Sequence, residues 1–436
     1  MMNIRRSIFV SAAFIALTLG AAFSNSAARA KDLERADPAS VGMDPAAMAA
    51  MKAAMQELVD SKKRAGIVYA VARNGKLIAM EAVGSRNLEQ NLPMTPDTIF
   101  RLASMSRTLT GATILSLLDD GKLSLDDPVA KYIPAFSKTQ VIKDVKGDVV
   151  ETEPQATPLS IRHLFTYTSG LGYGGQWPKS LGLEQSKIID LDSTLEVGID
   201  RLAGFPLLFQ PGAKWHYGFS GDVLGRVAEV ASNEPLNVFL QKRMLDKLGM
   251  NDTHFTVPEQ DLGRFAEVYG PKDGNPLANI SDKVDGLSHF TKPNTFFSAG
   301  GGMVSTVPDY MRFVQMLLNG GELDGVRVLK AATVKMMLTR QTTPAQGLVY
   351  WYDPATTFHN VKGYAWGLAI GIRADEAEHA VPGSPGDATW AGFINTVFFL
   401  DPKTKIAAVA MSQYLGPDEP AMTQVLRKGV YAAIKN

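Results

Sequence analysis

Apolar residues recur with a helical period through the middle of the chain and in short β-like runs at both ends. Near the start, Met48, Met51, Ala54, Met55 and Leu58 form one stripe, predicting a helix opened by Asp44 as N-cap with Pro45 at its first position. Ile67–Val71 and Leu77–Ala82, joined by Arg73-Asn74-Gly75-Lys76, predict a β-hairpin with an Asn-Gly turn. Met105, Leu109, Ala112 and Leu115–Leu118, stopped by Gly121, predict an amphipathic helix with Ser104 on its first turn. Further helices are expected after Thr157-Pro158, over Val223–Val230, over Leu236–Leu248 up to Gly249, and from Thr306 through Leu318. Strand patterns return at Tyr364–Ile372, Phe393–Leu400 and Ile406–Met411, before a closing helix from about Ala421. Strands at both ends with helices between predict an α+β fold whose sheet is completed by both ends of the chain. Residues 172–210 are irregular, and residues 257–296 fit long surface loops.

Composition narrows this picture. With 45% hydrophobic residues among 436, the chain has material for a large core. Forty-four basic residues balance forty-four acidic ones, which removes a general electrostatic reason to expect nucleic acid or an anionic membrane as partner. Residues 1–30 read as a secretory signal: Arg5 and Arg6, the apolar run Ile8–Phe23, then Ala28-Arg29-Ala30 as a cleavage site. A periplasmic or secreted protein is expected, with no stable membrane insertion once the signal is removed. No cysteine occurs, which excludes disulfides, thiol catalysis and thiolate metal sites. The six histidines form no His-x-x-x-His or similar pair, so neither a metal nor another cofactor is expected.

Ser104 is the leading candidate for chemistry. The first turn of a helix presents free N–H groups and a positive dipole end, both of which favour developing negative charge. Arg107, three residues on, shares its face. The plain alternative is that Ser104 only caps the helix. Ser106 is a rival nucleophile, although two positions on it falls about 200° round the helix. The run Gly300-Gly301-Gly302 lacks the following Lys-Ser or Lys-Thr pair of a phosphate loop. No Gly-x-Ser-x-Gly elbow appears, which argues against an α/β-hydrolase.

Five segments in order carry a resemblance: Ile99-Phe100-Arg101-Leu102-Ala103-Ser104-Met105, His163-Leu164-Phe165-Thr166-Tyr167-Thr168-Ser169-Gly170-Leu171, Trp215-His216-Tyr217, Gly300-Gly301-Gly302-Met303-Val304-Ser305-Thr306 and Trp390-Ala391-Gly392. Together they resemble the serine β-lactamase and penicillin-binding-protein superfamily, above all the class C β-lactamase-like group and the esterases sharing its fold. The resemblance implies an antiparallel sheet flanked by helices. It places an α/β part at about 31–110 and 295–436 and a mostly helical part at about 111–294. It also implies that Ser104 is the nucleophile, that Tyr217 relays its proton, and that Trp390-Ala391-Gly392 is the third motif, in a form similar to the Trp-Gly-Gly of the esterase branch. The backbone N–H groups of Ser104 and Phe393 would form the oxyanion hole.

Three departures bear on function. Phe219 stands where β-lactamases carry a hydrogen-bonding asparagine, and Trp390-Ala391-Gly392 lacks the lysine that meets an antibiotic's carboxylate. Arg107 stands where the family has its catalytic lysine. A guanidinium stays protonated and cannot take the serine's proton, so Tyr217 would have to be the base, with Arg107 favouring its phenolate. The expectation is an exported serine hydrolase acting on carboxylic esters or related small acyl compounds. A catalytically inactive binding relative using the same cleft is the alternative, followed by a β-lactamase or D-Ala-D-Ala peptidase. The sequence leaves the oligomeric state open.

Overall fold

The computed structural model describes residues 33–285, 290–347, 363–374, 379, 381–417 and 420–435. The segment read as a secretory signal lies outside them, as do His289 and His359.

Eight strands form one antiparallel sheet: β1 Gly66–Arg73, β2 Lys76–Asn87, β3 Leu92–Pro93, β4 Tyr364–Trp366, β5 Gly371–Arg373, β6 Ala388–Gly392, β7 Thr396–Asp401 and β8 Ile406–Met411. Their order is β4-β5-β6-β7-β8-β1-β2-β3, so the last strand of the chain lies beside the first, with Val68 opposite Met411 and Arg73 opposite Ile406. The β1–β2 turn is the expected Asn-Gly turn, with Asn74 and Gly75 both at positive φ (53° and 77°). The run Tyr364–Ile372, expected as one strand, is two short strands joined by a turn, and Phe393 belongs to the turn before β7.

The principal helices are α1 Pro45–Asp60, α2 Ser106–Asp119, α3 Ile161–Phe165, α4 Ser220–Ser232, α5 Val307–Leu318 and α6 Pro420–Ala432. Both faces of the sheet are covered. On one face Ile67, Tyr69, Val71, Ala391, Phe399 and Ala408 pack with Met48, Met51, Met55 and Leu58 of α1 and with Leu426 and Val430 of α6. On the other, Val68, Ala70, Trp390, Phe398 and Val409 pack against Met105, Leu109, Tyr310 and Val314. Alternate strand residues thus enter separate cores, as the period of two requires. The caps match the sequence: Asp44 accepts from Ala46 N–H at 2.8 Å, and Thr306 accepts from Asp309 N–H at 3.3 Å.

Three elements differ from the sequence expectation. Helix α2 is buried from Ser106 through Leu117, so it is not amphipathic: its threonines bond backbone carbonyls, as Thr108 does to Ala369 at 3.0 Å and Thr110 to Ala299 at 2.8 Å. Hairpins at Val141–Lys146/Val149–Glu153 and Tyr269–Lys272/Asn275–Asn279 lie within the region expected to be helical or looped. The Leu236–Leu248 run is helical but passes through a π-helical turn at Gln241–Leu245.

The end of β6 positions the segment that carries Ser104. A Cβ at Gly392 would collide with the Leu102 carbonyl oxygen and the Thr396 hydroxyl, and the latter already bonds that carbonyl at 3.0 Å. Gly392→Ala is expected to lower stability by about 1–3 kcal/mol through overpacking, read as a lower urea midpoint.

Candidate active site

Ser104 sits on a 3₁₀ turn, Ala103–Met105, that leads into α2 instead of on the first turn of an α-helix. Ala103 has φ +46°, an unfavourable conformation for a residue with a Cβ and a local strain next to the candidate nucleophile. Ser106 points elsewhere and accepts from Met303 N–H at 3.1 Å.

Arg107 reaches back over this turn and is 2% exposed. Its Nε donates to the Ser104 carbonyl at 3.2 Å and its Nη1 to the Tyr167 hydroxyl at 2.6 Å. Its Nη2 lies 3.2 Å from Ser104 Oγ, 3.1 Å from the Tyr173 hydroxyl and 2.8 Å from the Gly300 carbonyl. The guanidinium also lies on the face of Tyr217, 4.2 Å from the ring centroid. Tyr217 lies in the irregular stretch before α4 and lines the same cleft as Ser104. The next residue has to be glycine, since a Cβ at 218 would strike the Leu171 carbonyl and the backbone of Gly172. Arg107 therefore touches both Ser104 and Tyr217, and all three line one cleft.

These groups open onto a cleft of about 270 Å³, lined also by Ala103, Tyr173, Ile189, Asp222, Gly300 and Phe393. A larger cavity of about 570 Å³ lies between Asn237–Asp246 and Phe297, and none of the candidate site residues lines it. The other candidates stand behind the cleft. Trp390 packs against Tyr217 with centroids 5.5 Å apart and against Trp366 at 4.5 Å. Phe219 is fully buried, edge-on to Tyr173 at 5.0 Å. Ala391 points into the core on the opposite sheet face, because neighbouring strand residues face opposite ways, and Gly392 lies against Leu102 and Ala103. The structure therefore does not set Trp390, Ala391, Gly392 or Phe219 on the cleft wall. The glycine run is no phosphate cradle: Gly300 N–H donates to Asp222 Oδ1 at 3.1 Å, and its carbonyl faces Arg107.

Sequence reasoning assigned no role to Tyr167, Tyr173 or Asp222. Tyr167 and Tyr173 flank the Ser169-Gly170-Leu171-Gly172 turn, and that pairing of aromatics around a glycine-rich turn was the available signal. Asp222 reads in sequence as an ordinary acid in a helix's first turn. In the structure it is buried, accepts from Ser298 Oγ at 2.7 Å, and is joined to Arg107 through Gly300.

The family described as Beta-lactamase matches residues 51–431. Esterase EstB of Burkholderia gladioli is 30% identical over 422 residues, covering 91% of this chain and 98% of its own. Protein Rv1367c of Mycobacterium tuberculosis is 32% identical over 372 residues, covering 83% and 89%. Among solved structures, EstCE1, a hydrolase with promiscuous acyltransferase activity, superposes with a TM-score of 0.74 at 24% identity, covering 88% of this chain and 99% of its own. Simvastatin synthase (LovD) from Aspergillus terreus, unliganded, gives 0.71 at 25% identity, covering 88% and 98%.

Two opposed effects act on the Tyr217 phenol. Burial pushes its pKa up, and Arg107 and the Ser104 hydroxyl pull it down. Burial wins, so the pKa stands well above 10 and the phenol is neutral at rest, opposite to the expectation that arginine would hold it ionised. Tyr167 is pushed up to about 12 by burial against the same cation. The three phenols around Arg107 hold its own pKa above the ordinary arginine value despite burial. An unfolded chain ionises its tyrosines near 10, so above that pH it binds fewer protons than the folded protein. The contribution of Tyr167 and Tyr217 to stability is thus whole below about pH 10 and lost as pH rises through their folded values. Resistance to urea is expected to fall from about pH 10 upward, and Tyr167→Phe to reduce that slope.

Proposed function

Because the chain belongs to the β-lactamase family of serine hydrolases, we propose that it cleaves carboxylic esters or related acyl compounds through an acyl-enzyme on Ser104. The observation that carries this reading is a serine hydroxyl 3.2 Å from a guanidinium that itself lies over the Tyr217 ring, all three side chains lining one cleft. Ser104 Oγ attacks the acyl carbonyl carbon as its proton passes to the ionised fraction of Tyr217. The carbonyl oxygen, now anionic, is received by the N–H groups of Ser104 and Phe393. Collapse returns the proton from Tyr217 to the leaving alcohol, and water enters by the same route to release the acid. Arg107 stays charged throughout and favours the phenolate during transfer. Residues 1–30 support export to the periplasm or medium.

A base whose pKa is raised works only through its deprotonated fraction. Log kcat/KM is expected to rise about one unit per pH unit toward pH 10 without a plateau, followed on p-nitrophenyl butyrate. A plateau near neutrality would assign the proton to another group.

The neutral resting phenol and the arginine that cannot accept a proton favour a second reading, a non-catalytic binding protein using the same cleft. A burst of p-nitrophenol with a mass increase on Ser104, lost in Ser104→Ala, supports the enzyme. Neither signal supports the binding protein. β-Lactamase or peptidase action ranks lower because of Phe219 and the lysine-free Trp390-Ala391-Gly392, and nitrocefin turnover would reverse that ranking. Arg107→Lys is expected to lower kcat about tenfold or more, because an ammonium cannot span the acceptors that the guanidinium joins.

A further inference from the structure

We propose that Tyr167 is the positioning residue that makes an arginine workable at position 107, an inference that rests on the serine-hydrolase reading of the same site. Of the guanidinium's hydrogen bonds the one to the Tyr167 hydroxyl is the shortest, 2.6 Å, and it engages the nitrogen opposite the one directed at Ser104 Oγ. A guanidinium is a rigid plane, so fixing Nη1 fixes where Nη2 points. Tyr167 also stacks on Tyr217, with centroids 5.5 Å apart and planes within 22°. One side chain therefore touches both groups that act on Ser104 and sets their spacing.

The surroundings hold Tyr167 in place. Its backbone lies at φ +56°, an unfavourable conformation for a residue with a side chain, and its carbonyl accepts from His216 N–H at 2.8 Å, next to Tyr217. Its ring is fully buried and meets Trp366 edge-on at 5.2 Å and Trp215 at 6.5 Å. Tyr167 is not among the residues that line the cleft, so it acts on the reaction through Arg107 and Tyr217 and leaves substrate binding alone.

Tyr167→Phe removes one oxygen and keeps the ring. The expected result is a fall in kcat of about tenfold or more with KM unchanged, and no further fall when Tyr167→Phe is added to Arg107→Lys. A kcat within twofold of wild type, or an equal loss in both backgrounds, overturns the proposal. Should the phenylalanine variant fail to fold, 3-fluorotyrosine at 167 weakens the same oxygen as an acceptor. A lower kcat then supports the proposal and an unchanged one overturns it. If the wild-type protein gives no burst, the hydrolase reading has failed separately. The Tyr167–Arg107 coupling is then read from urea midpoints of the two single variants and the double variant: non-additive shifts support the pairing, and additive ones overturn it.

Discussion

A positive charge that cannot be neutralised is buried at the centre of this molecule, and the surrounding structure is arranged to hold it. Removing a cation from water is tolerable only where its donors meet acceptors and opposite charge lies near. The acceptors of Arg107 come from four separate places: the Ser104 turn, Tyr167, Tyr173 and Gly300. Asp222 accepts from the N–H of the same glycine whose carbonyl faces the guanidinium; burial pushes its carboxyl up, and Ser298, Gly300 and Arg107 pull it down. The positive φ of Ala103 and of Tyr167 fits this demand, since both residues sit where the chain bends to bring an acceptor within reach.

The same packing explains why the Tyr217 phenol is pushed up and stays neutral. The ring of Tyr217 is enclosed by Arg107, Tyr167, Tyr173, Trp215 and Trp390, and this enclosure keeps its face against the cation while removing water from its oxygen. A nearby charge stabilises a phenolate, but loss of water destabilises it more. An aromatic cage therefore orders the groups and keeps the phenol neutral.

Much of this architecture is legible in the sequence because it rests on periodicity. The Met48–Met55 stripe, the Asn74-Gly75 turn and the Ile406–Met411 strand follow from local pattern alone. Helix α2 kept its length but not its exposure, since Thr108 and Thr110 bond backbone carbonyls of other segments and its polar residues are as buried as its leucines. The Val141–Glu153 hairpin escaped because Lys143 on one face and Asp144 and Lys146 on the other stand exposed, so neither set of alternate positions is apolar. At the site, motif order located Ser104, Arg107 and Tyr217. Tyr167, Tyr173 and Asp222 join them only through three-dimensional convergence, and whether burial or arginine governs Tyr217 depends on packing that no spacing encodes.

The strand order has a consequence for how the molecule comes into being. Because β8 lies between β7 and β1, the β1–β2 hairpin lacks one neighbour until Ile406–Met411 has been synthesised. The Leu102–Ala103 backbone beside the serine is braced by Gly392 of β6, so this local geometry also waits on late residues. A ribosome-bound fragment ending before β6 carries every polar group that touches the guanidinium and lacks the wall that shapes their meeting. The turn that carries Ser104 thus takes its support only once β6 has been made.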